Sequence, residues 1–278
     1  CVTSLFTMTQ SALPSPGLRA PQRPRSLATA RTIAALMLRE MSTTYGRSML
    51  GYLWAVLEPV AGIMLMTFIF SFAFRAPPIG TNFPLFYASG ILPFMAYMDI
   101  GQKISVSLRF SKSLMFYPGV TFIDAIVARF LINALTFVMV AVIVYGLIFL
   151  VFRLNAIIDL PAIFLAFAMA FALGLGIGTL NCFLLSSYPL WERAWAVITR
   201  PLFIVSCIFY IFDSIPEPYR GWLWWNPLVH IIGQARKGFY ATYDGAYVSP
   251  LYVFTVSAVT FAAGLLLLRR YHRDIVNF

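Results

Sequence analysis

The sequence predicts an all-α polytopic membrane protein: six transmembrane helices, an amphipathic interface helix before them, and a re-entrant gate hairpin of helices on the periplasmic face. Three observations predict it. Hydrophobic residues fill 60% of the 278 positions and charged residues 11%, with a mean hydropathy of +0.82, whereas a soluble domain carries about 25% charged residues. Apolar runs recur along the chain, near the roughly 20 helical residues that a bilayer core needs. The stretch from Trp191 to Tyr240 begins like one more span and does not finish as one.

Residues 1–30 hold Pro14, Pro16, Pro21 and Pro24 with Arg19, Arg23 and Arg25. No apolar run there reaches signal-sequence length, so a disordered basic tail is expected. Cys1 in first place points to processing or another start, Met8 being available. Over 31–48, Ile33, Met37, Met41 and Tyr45 recur every four residues with Leu36 beside them, while Arg31, Arg39, Glu40, Thr43 and Arg47 lie off that stripe. This is the pattern of an amphipathic helix in the interface plane, basic side toward anionic headgroups. It serves as a plain anchor or as a recognition element for a lipid-linked phosphate.

The first span is expected over 51–74 and contains Glu58 and Pro59. An ionisable group at that depth marks a functional interior or snorkels to the nearby interface. Arg75 and the turn APPIGTN end it. The second span, 83–102, carries Gly90, Pro93 and Asp99 and should kink. Between 103 and 118 the chain leaves the bilayer with Phe110, Leu114, Met115, Phe116 and Tyr117 as apolar knobs. That segment is either a docking element or a helix lying on the membrane. The third span, 122–152, is long enough to tilt or project, with Asp124 and Arg129 near its start. The fourth, 160–187, spaces Ala166, Ala170, Gly174 and Gly178 four apart, a helix-packing face.

The fifth segment is expected over 195–212, but its apolar run after Pro201 ends at Phe212, too short for a full crossing. It stops short or re-enters. Residues 213–249 are too rich in Trp, Tyr and Pro for a polar loop, and too broken by Pro216, Pro218, Gly221 and Pro227 for a span. Irregular backbone at membrane depth needs cover from protein or a water-filled cavity, which predicts the gate of a passage; the alternative is an aromatic interfacial loop. The sixth span, 251–268, leads to RRYHRDIVNF.

Six crossings put both ends on one side of the membrane. If that side is cytoplasmic, fifteen of the Lys and Arg residues lie inside and five outside: Arg75, Arg153, Arg220, Arg236 and Lys237. The net charge of +10 is then an orientation signal rather than a nucleic-acid surface. Cys1, Cys182 and Cys207 lie far apart without metal spacing and are packing residues.

The chain has no G-x-x-x-x-G-K-[ST] phosphate loop, no H-E-x-x-H and no G-x-S-x-G. Its histidines are His230 and His272. A self-contained secondary transporter would use Glu58 or Asp99 as coupling carboxylates. A membrane enzyme on lipid-linked sugars would draw on Asp213, Glu217, Asp244 and His230.

RTIAALMLREMSTTYGRSMLGYLWAVLEP, YASGILPF, SKSLMFYPGVTFIDAIVARF and NPLVHIIGQARKGFY, in this order, resemble the permease subunit of ABC-2 type exporters, and within them the KpsM-like capsule polysaccharide exporters of Gram-negative bacteria. The resemblance runs from Arg31 to the end. It implies a homodimer of six-span subunits in the inner membrane, paired with cytoplasmic nucleotide-binding ATPase subunits that use ATP and Mg; no cofactor is expected in this chain. It also implies a lipid-linked polysaccharide cargo, a periplasmic adaptor and an outer-membrane channel. An O-antigen or teichoic acid exporter is the nearest alternative.

By the same resemblance the coupling helix falls on Lys112, Ser113, Leu114, Met115, Phe116, Tyr117 and Pro118. The entrance for lipid-linked substrate lies near Arg31, Arg39, Tyr45 and Arg47, and the gate helices fall within 216–240. Sugars stack on aromatic faces and their acidic groups seek Arg or Lys. The candidates for a path and gate are therefore Trp54, Tyr210, Trp222, Trp224, Trp225, Asn226, Pro227 and Arg236.

Overall fold

The computed structural model describes residues 28–44, 50–73, 75–112, 121–154 and 158–277. The tail expected over 1–30 lies outside them up to residue 27, as do Tyr45, Arg47 and Ser113 to Pro118. The helices are α1 (Ala28–Thr44), α2 (Leu50–Ala73), α3 (Phe83–Ser105), α4 (Ser107–Ser111), α5 (Phe122–Phe152), α6 (Leu160–Ser187), α7 (Pro189–Val205), α8 (Tyr219–Trp224), α9 (Pro227–Phe239) and α10 (Pro250–Asn277). Among the described residues five of them, α2, α3, α5, α6 and α10, are long and apolar enough to cross a membrane.

Short polar side chains start several of these helices by accepting from the orphan amides of the first turn. Asn82 accepts from the Leu85 amide at 3.2 Å and Asp159 from the Ala162 amide at 3.3 Å. Thr121 and Asp124 form a reciprocal capping box that begins α5. Asp124 is thus buried by a structural duty.

Helix α6 is the axis of the bundle, with α10 on one side, α3 on the other and α9 against its first turns. Glycines at alternate positions let both long neighbours approach. A Cβ at Gly174 would meet the Tyr97 carbonyl of α3 at 3.0 Å, and one at Gly178 the Gly101 carbonyl at 2.9 Å. On the opposite face, a Cβ at Gly176 would meet the Ser257 carbonyl of α10 at 2.5 Å, and Gly264 of α10 comes as close to the Leu180 amide. Without a strong hydrophobic drive between helices in lipid, such close backbone contact supplies much of the association. The glycines of the four-residue stripe legible in the sequence face α3; Gly176 adds a second seam against α10.

Helix α2 lies at the edge and leaves Leu53, Leu57, Met64, Leu65, Phe68 and Phe72 exposed. In water that face would be a liability, whereas hydrocarbon covers it without cost.

The fifth segment differs from the expected 195–212. Its helix runs earlier, over Pro189–Val205, because extended Tyr188 precedes Pro189 at the first helical position. It ends at Ser206, where Cys207 turns the chain with a φ of 62°. Residues 206–208 are then buried as irregular backbone. After a 3-10 turn (Phe212–Ser214) and α8, the chain returns as α9, which is buried along nearly its whole length. Helix α9 lies among the ends of α3, α6 and α10 farthest from Lys103: the Asp159 amide donates to the Gly238 carbonyl at 2.9 Å, and Tyr240 packs on Gly80.

The glycine seams give a direct expectation. Gly176→Val should destabilise the detergent-solubilised chain by about 1–3 kcal/mol through overpacking. Gly62→Ala, where nothing lies within 4 Å of the added carbon, should leave its thermal midpoint unchanged or slightly raise it, since Ala favours a helix interior. Equal midpoints for both variants would contradict the packing described.

Candidate functional site

At the end of the bundle that carries Lys103, four helices meet through one arginine. Arg129 sits in the second turn of α5, where an unpaired charge would be costly. Its Nε donates to Glu40 of α1 at 3.0 Å, both side chains being only 8% exposed. Its Nη1 donates to the Lys103 carbonyl at 2.9 Å, and its guanidinium lies 4.1 Å from the Phe110 ring centre of α4. The Lys103 carbonyl belongs to the last turn of α3, whose acceptors lack helical partners and favour a cation. Arg39 covers the same Phe110 ring at 5.1 Å. Lys103 is 3.8 Å from Asp99 and donates to Asn133 at 3.2 Å, and Asn133 donates to the Arg129 carbonyl at 2.7 Å. Arg109 repeats the theme on α6 and α7: it donates to the Leu185 carbonyl and pairs with Glu192 at 3.1 Å.

At the other end, the break after α7 is held by Arg236 of α9. The side chain is fully buried. Its two terminal nitrogens donate to the carbonyls of Tyr210 and Ile208, each at 2.8 Å, and its guanidinium lies 4.4 Å from the Phe86 ring centre. Its Nε finds no partner among the described residues. Asn226 caps α9 by accepting from the Leu228 amide at 3.1 Å and reaches Ser206 Oγ at 3.3 Å, with Pro227 at the first helical position. Trp224 donates to the Tyr247 carbonyl and meets His230 edge to face at 5.1 Å.

His230 is fully buried, and both ring nitrogens are used: Nε2 donates to the Trp224 carbonyl at 2.8 Å and Nδ1 accepts from the Ser249 amide at 3.2 Å. Only the neutral ring fits both bonds. Burial pushes its pKa below the ordinary 6.5. The unfolded chain therefore takes up this proton first as pH falls, and the stability that His230 contributes is full above 6.5 and lost below it.

Of the remaining expected residues, Lys112 is half-buried just after α4, and Ser113, Leu114, Met115, Phe116, Tyr117 and Pro118 lie outside the described residues. Arg31 is exposed on α1 and Arg39 half-buried; Tyr45 and Arg47 are again outside. Trp54 is exposed on α2, and Trp222 and Trp225 are exposed on either side of half-buried Trp224. Tyr210 is half-buried, its hydroxyl donating to the Ile204 carbonyl at 3.0 Å. The expectation that Arg236 faces a passage meets a different geometry: the guanidinium is enclosed and committed to backbone. Among the carboxylates of the rival readings, Asp213 and Asp244 line one open cleft beside Thr242 and Tyr243, whereas the others stand apart. Glu58 is exposed on α2, Asp99 sits beside Lys103, and Glu217 pairs with Arg220 at 2.9 Å.

The Glu40–Arg129 pair was not read from the sequence. Its signal was there: a lone arginine inside a long apolar helix demands a partner, and Glu40 is the acid of the preceding amphipathic helix.

Comparison with known proteins adds to this geometry. Residues 31–240 match the profile of the family described as ABC-2 type transporter. The polysialic acid transport protein KpsM of Escherichia coli is 31% identical over 86% of this chain and 92% of its own. The capsule polysaccharide export inner-membrane protein CtrC of Neisseria meningitidis is 23% identical over 88% and 92%. The O-antigen export system permease protein RfbA of Klebsiella pneumoniae is 26% identical over 77% and 82%.

Breaking the α1–α5 pair from one side should be severe. Glu40→Met or Arg129→Met alone should each cost about 3–5 kcal/mol, because a buried charge is left behind, and the double replacement should recover most of it; a thermal-unfolding double-mutant cycle with additive losses would contradict the pairing. Separately, the thermal midpoint of the chain should fall as pH drops below 6.5, and His230→Asn should flatten that slope. An unchanged slope in the variant would remove His230 as its cause.

Proposed function

This chain belongs to the ABC-2 type transporter family, and from that premise we propose that it is the membrane-spanning permease subunit of an ATP-driven exporter of capsular polysaccharide in the bacterial inner membrane. The single observation that carries this reading is its similarity, over most of both chains, to inner-membrane proteins named for capsule polysaccharide export. ATP and Mg are used by separate nucleotide-binding subunits, and this chain supplies the passage. Two copies form it, with twelve crossings between them, each copy completing its sixth crossing through α7 and the irregular segment held by Arg236.

The end carrying Arg31, Arg39, Lys103, Arg109, Lys112 and Arg129 faces the cytoplasm, with both termini. The α8–α9 hairpin with its exposed Trp222 and Trp225 faces the periplasm, where an adaptor and then an outer-membrane channel receive the glycan. Lipid-linked polysaccharide arrives near α1, with Arg31, Arg39, Tyr45 and Arg47 toward its headgroup. Lys112 and the residues after it, Ser113 through Pro118, meet the ATPase. A stroke there reaches α1, α3 and α5 together, since Phe110 lies between Arg39 and Arg129 only two residues before Lys112.

The O-antigen permease among the relatives supports a neighbouring reading in which the cargo is a different lipid-linked glycan. Deleting the gene separates the two: loss of capsule with internal accumulation of its polymer is the expected result, loss of O-antigen alone supports the neighbour, and an unaltered surface contradicts both. For coupling, replacing Phe116 and Tyr117 together by Ala should cut export about tenfold or more, the scale of losing anchor aromatics at an interface, while the subunits still assemble and hydrolyse ATP. Normal export with the double replacement would remove this segment from its role.

A further inference from the structure

We propose that the cleft between α3, α6 and α7, at the Lys103 end of the bundle, is a saccharide subsite that takes one uncharged, hydroxyl-bearing sugar ring stacked on Trp195. The proposal rests on the reading of the chain as a glycan permease and deepens it by naming the part of the glycan recognised and the residues that hold it.

Helix α7 has no buried residue, yet it is two-faced. Trp191, Trp195, Thr199, Leu202 and Phe203 are half-covered and turn toward the bundle, while Leu190, Val197 and Ile204 are exposed on the other side. The helix therefore stands off from α3 and α6 and leaves a cleft of about 260 Å³. That is below the roughly 300–1,000 Å³ of ordinary ligand pockets, a space for a ring rather than a chain. Gln102, Ser105, Asn181, Glu192, Trp195 and Thr199 supply its chemistry.

The indoles are fixed in advance. Trp191 donates its indole N–H to Asn181 Oδ1 at 2.9 Å, and Trp195 stacks on Trp191 with ring centres 6.2 Å apart and planes 25° from parallel. A platform already ordered loses little entropy when a ligand lands on it. A pyranose has apolar C–H faces that suit an indole and a rim of hydroxyls that both donate and accept. The rim finds matching groups. The Gln102 amide offers both roles, and the Glu192 carboxylate accepts. The Ser105 and Thr199 oxygens are left as acceptors, because their protons go to the carbonyls of Gln102 at 2.7 Å and Trp195 at 2.9 Å.

Charge selects the kind of ring. Among the described residues no lysine or arginine lines the cleft, and Arg109, which reaches its Glu192, is paired with that carboxylate at 3.1 Å. A carboxylated sugar would meet a carboxylate without a cation of its own. Met98, Val106, Ile177, Leu185 and Ala196 give the cleft apolar walls, but a lipid acyl chain there would strand its polar donors and acceptors. An uncharged ring satisfies them.

The test places a p-benzoyl-phenylalanine photo-crosslinker at position 195, or at Val197 on the exposed side of α7, in the chain expressed in its own bacterium. After illumination the chain is purified under denaturing conditions and its attached glycan detected by periodate-based staining. Several-fold more glycan adduct at 195 than at 197 is expected. In parallel, Trp195→Phe should keep export and Trp195→Ala lower it about fivefold, the size expected for one lost aromatic stack, at unchanged chain level. Equal or absent adducts at 195, while the unmodified chain still delivers glycan to the surface, overturn the subsite and leave the permease standing. A surface glycan indifferent to deletion of the gene overturns the parent reading instead.

Discussion

A fully buried guanidinium holding two backbone carbonyls is the interaction on which this architecture turns. The chain breaks at Ser206 after α7, and the carbonyls of Ile208 and Tyr210 would lose their partners in a place without water, each at a cost of kilocalories. Arg236 supplies both donors. Its own charge is expensive to bury, and the cost is offset by two charge-assisted bonds and the face of Phe86. The surrounding features follow from that grip. Gly90 lets the Ile208 backbone approach α3, where a Cβ would stand 3.3 Å from the Ile208 Cα. Helix α9 is buried to deliver the arginine and takes His230 and Gln234 into the interior with it, and Asn226 and His230 tie its start to Ser206, Trp224 and Ser249.

The opposite end solves a related problem with the same residue type. There helices α3 and α6 finish, and Arg129 and Arg109 donate to the carbonyls they leave open. Arg129 is also the meeting point of α1, α4 and α5, so a push on the chain just after α4 cannot move one helix alone. Between the two ends, glycine seams lock α3, α6 and α10 into one body. Helix α7 stands off from that body. The result is a rigid core with one loosely seated helix and two arginine-held ends, a division suited to converting a stroke at one face into opening at the other.

Much of this was legible in the sequence. The apolar runs of α2, α3, α5, α6 and α10 declare themselves by length, because hydrocarbon forgives no unsatisfied backbone and so permits few alternatives. The shortfall after Pro201 and the prolines of 216–227 mark the broken segment for the same reason. What could not be read was the direction of single side chains. Arg236 in the string QARKGFY reads as a cation lining a passage, and only the turn at Cys207 brings two carbonyls to it. The fifth segment was expected to begin at 195, whereas Pro189 sets the helix boundary. The ion pair between Glu40 and Arg129 spans 89 positions, beyond any helical periodicity.

As the membrane-spanning subunit of an ATP-driven exporter, this chain must be held by an ATPase partner. The most direct test is purification of the tagged chain from its native membrane in mild detergent, with mass spectrometry of everything retained. A nucleotide-binding ATPase subunit should be recovered in stoichiometric amount with the chain. Recovery of the chain alone, from a preparation in which other ABC transporters keep their ATPase subunits, would contradict that partnership.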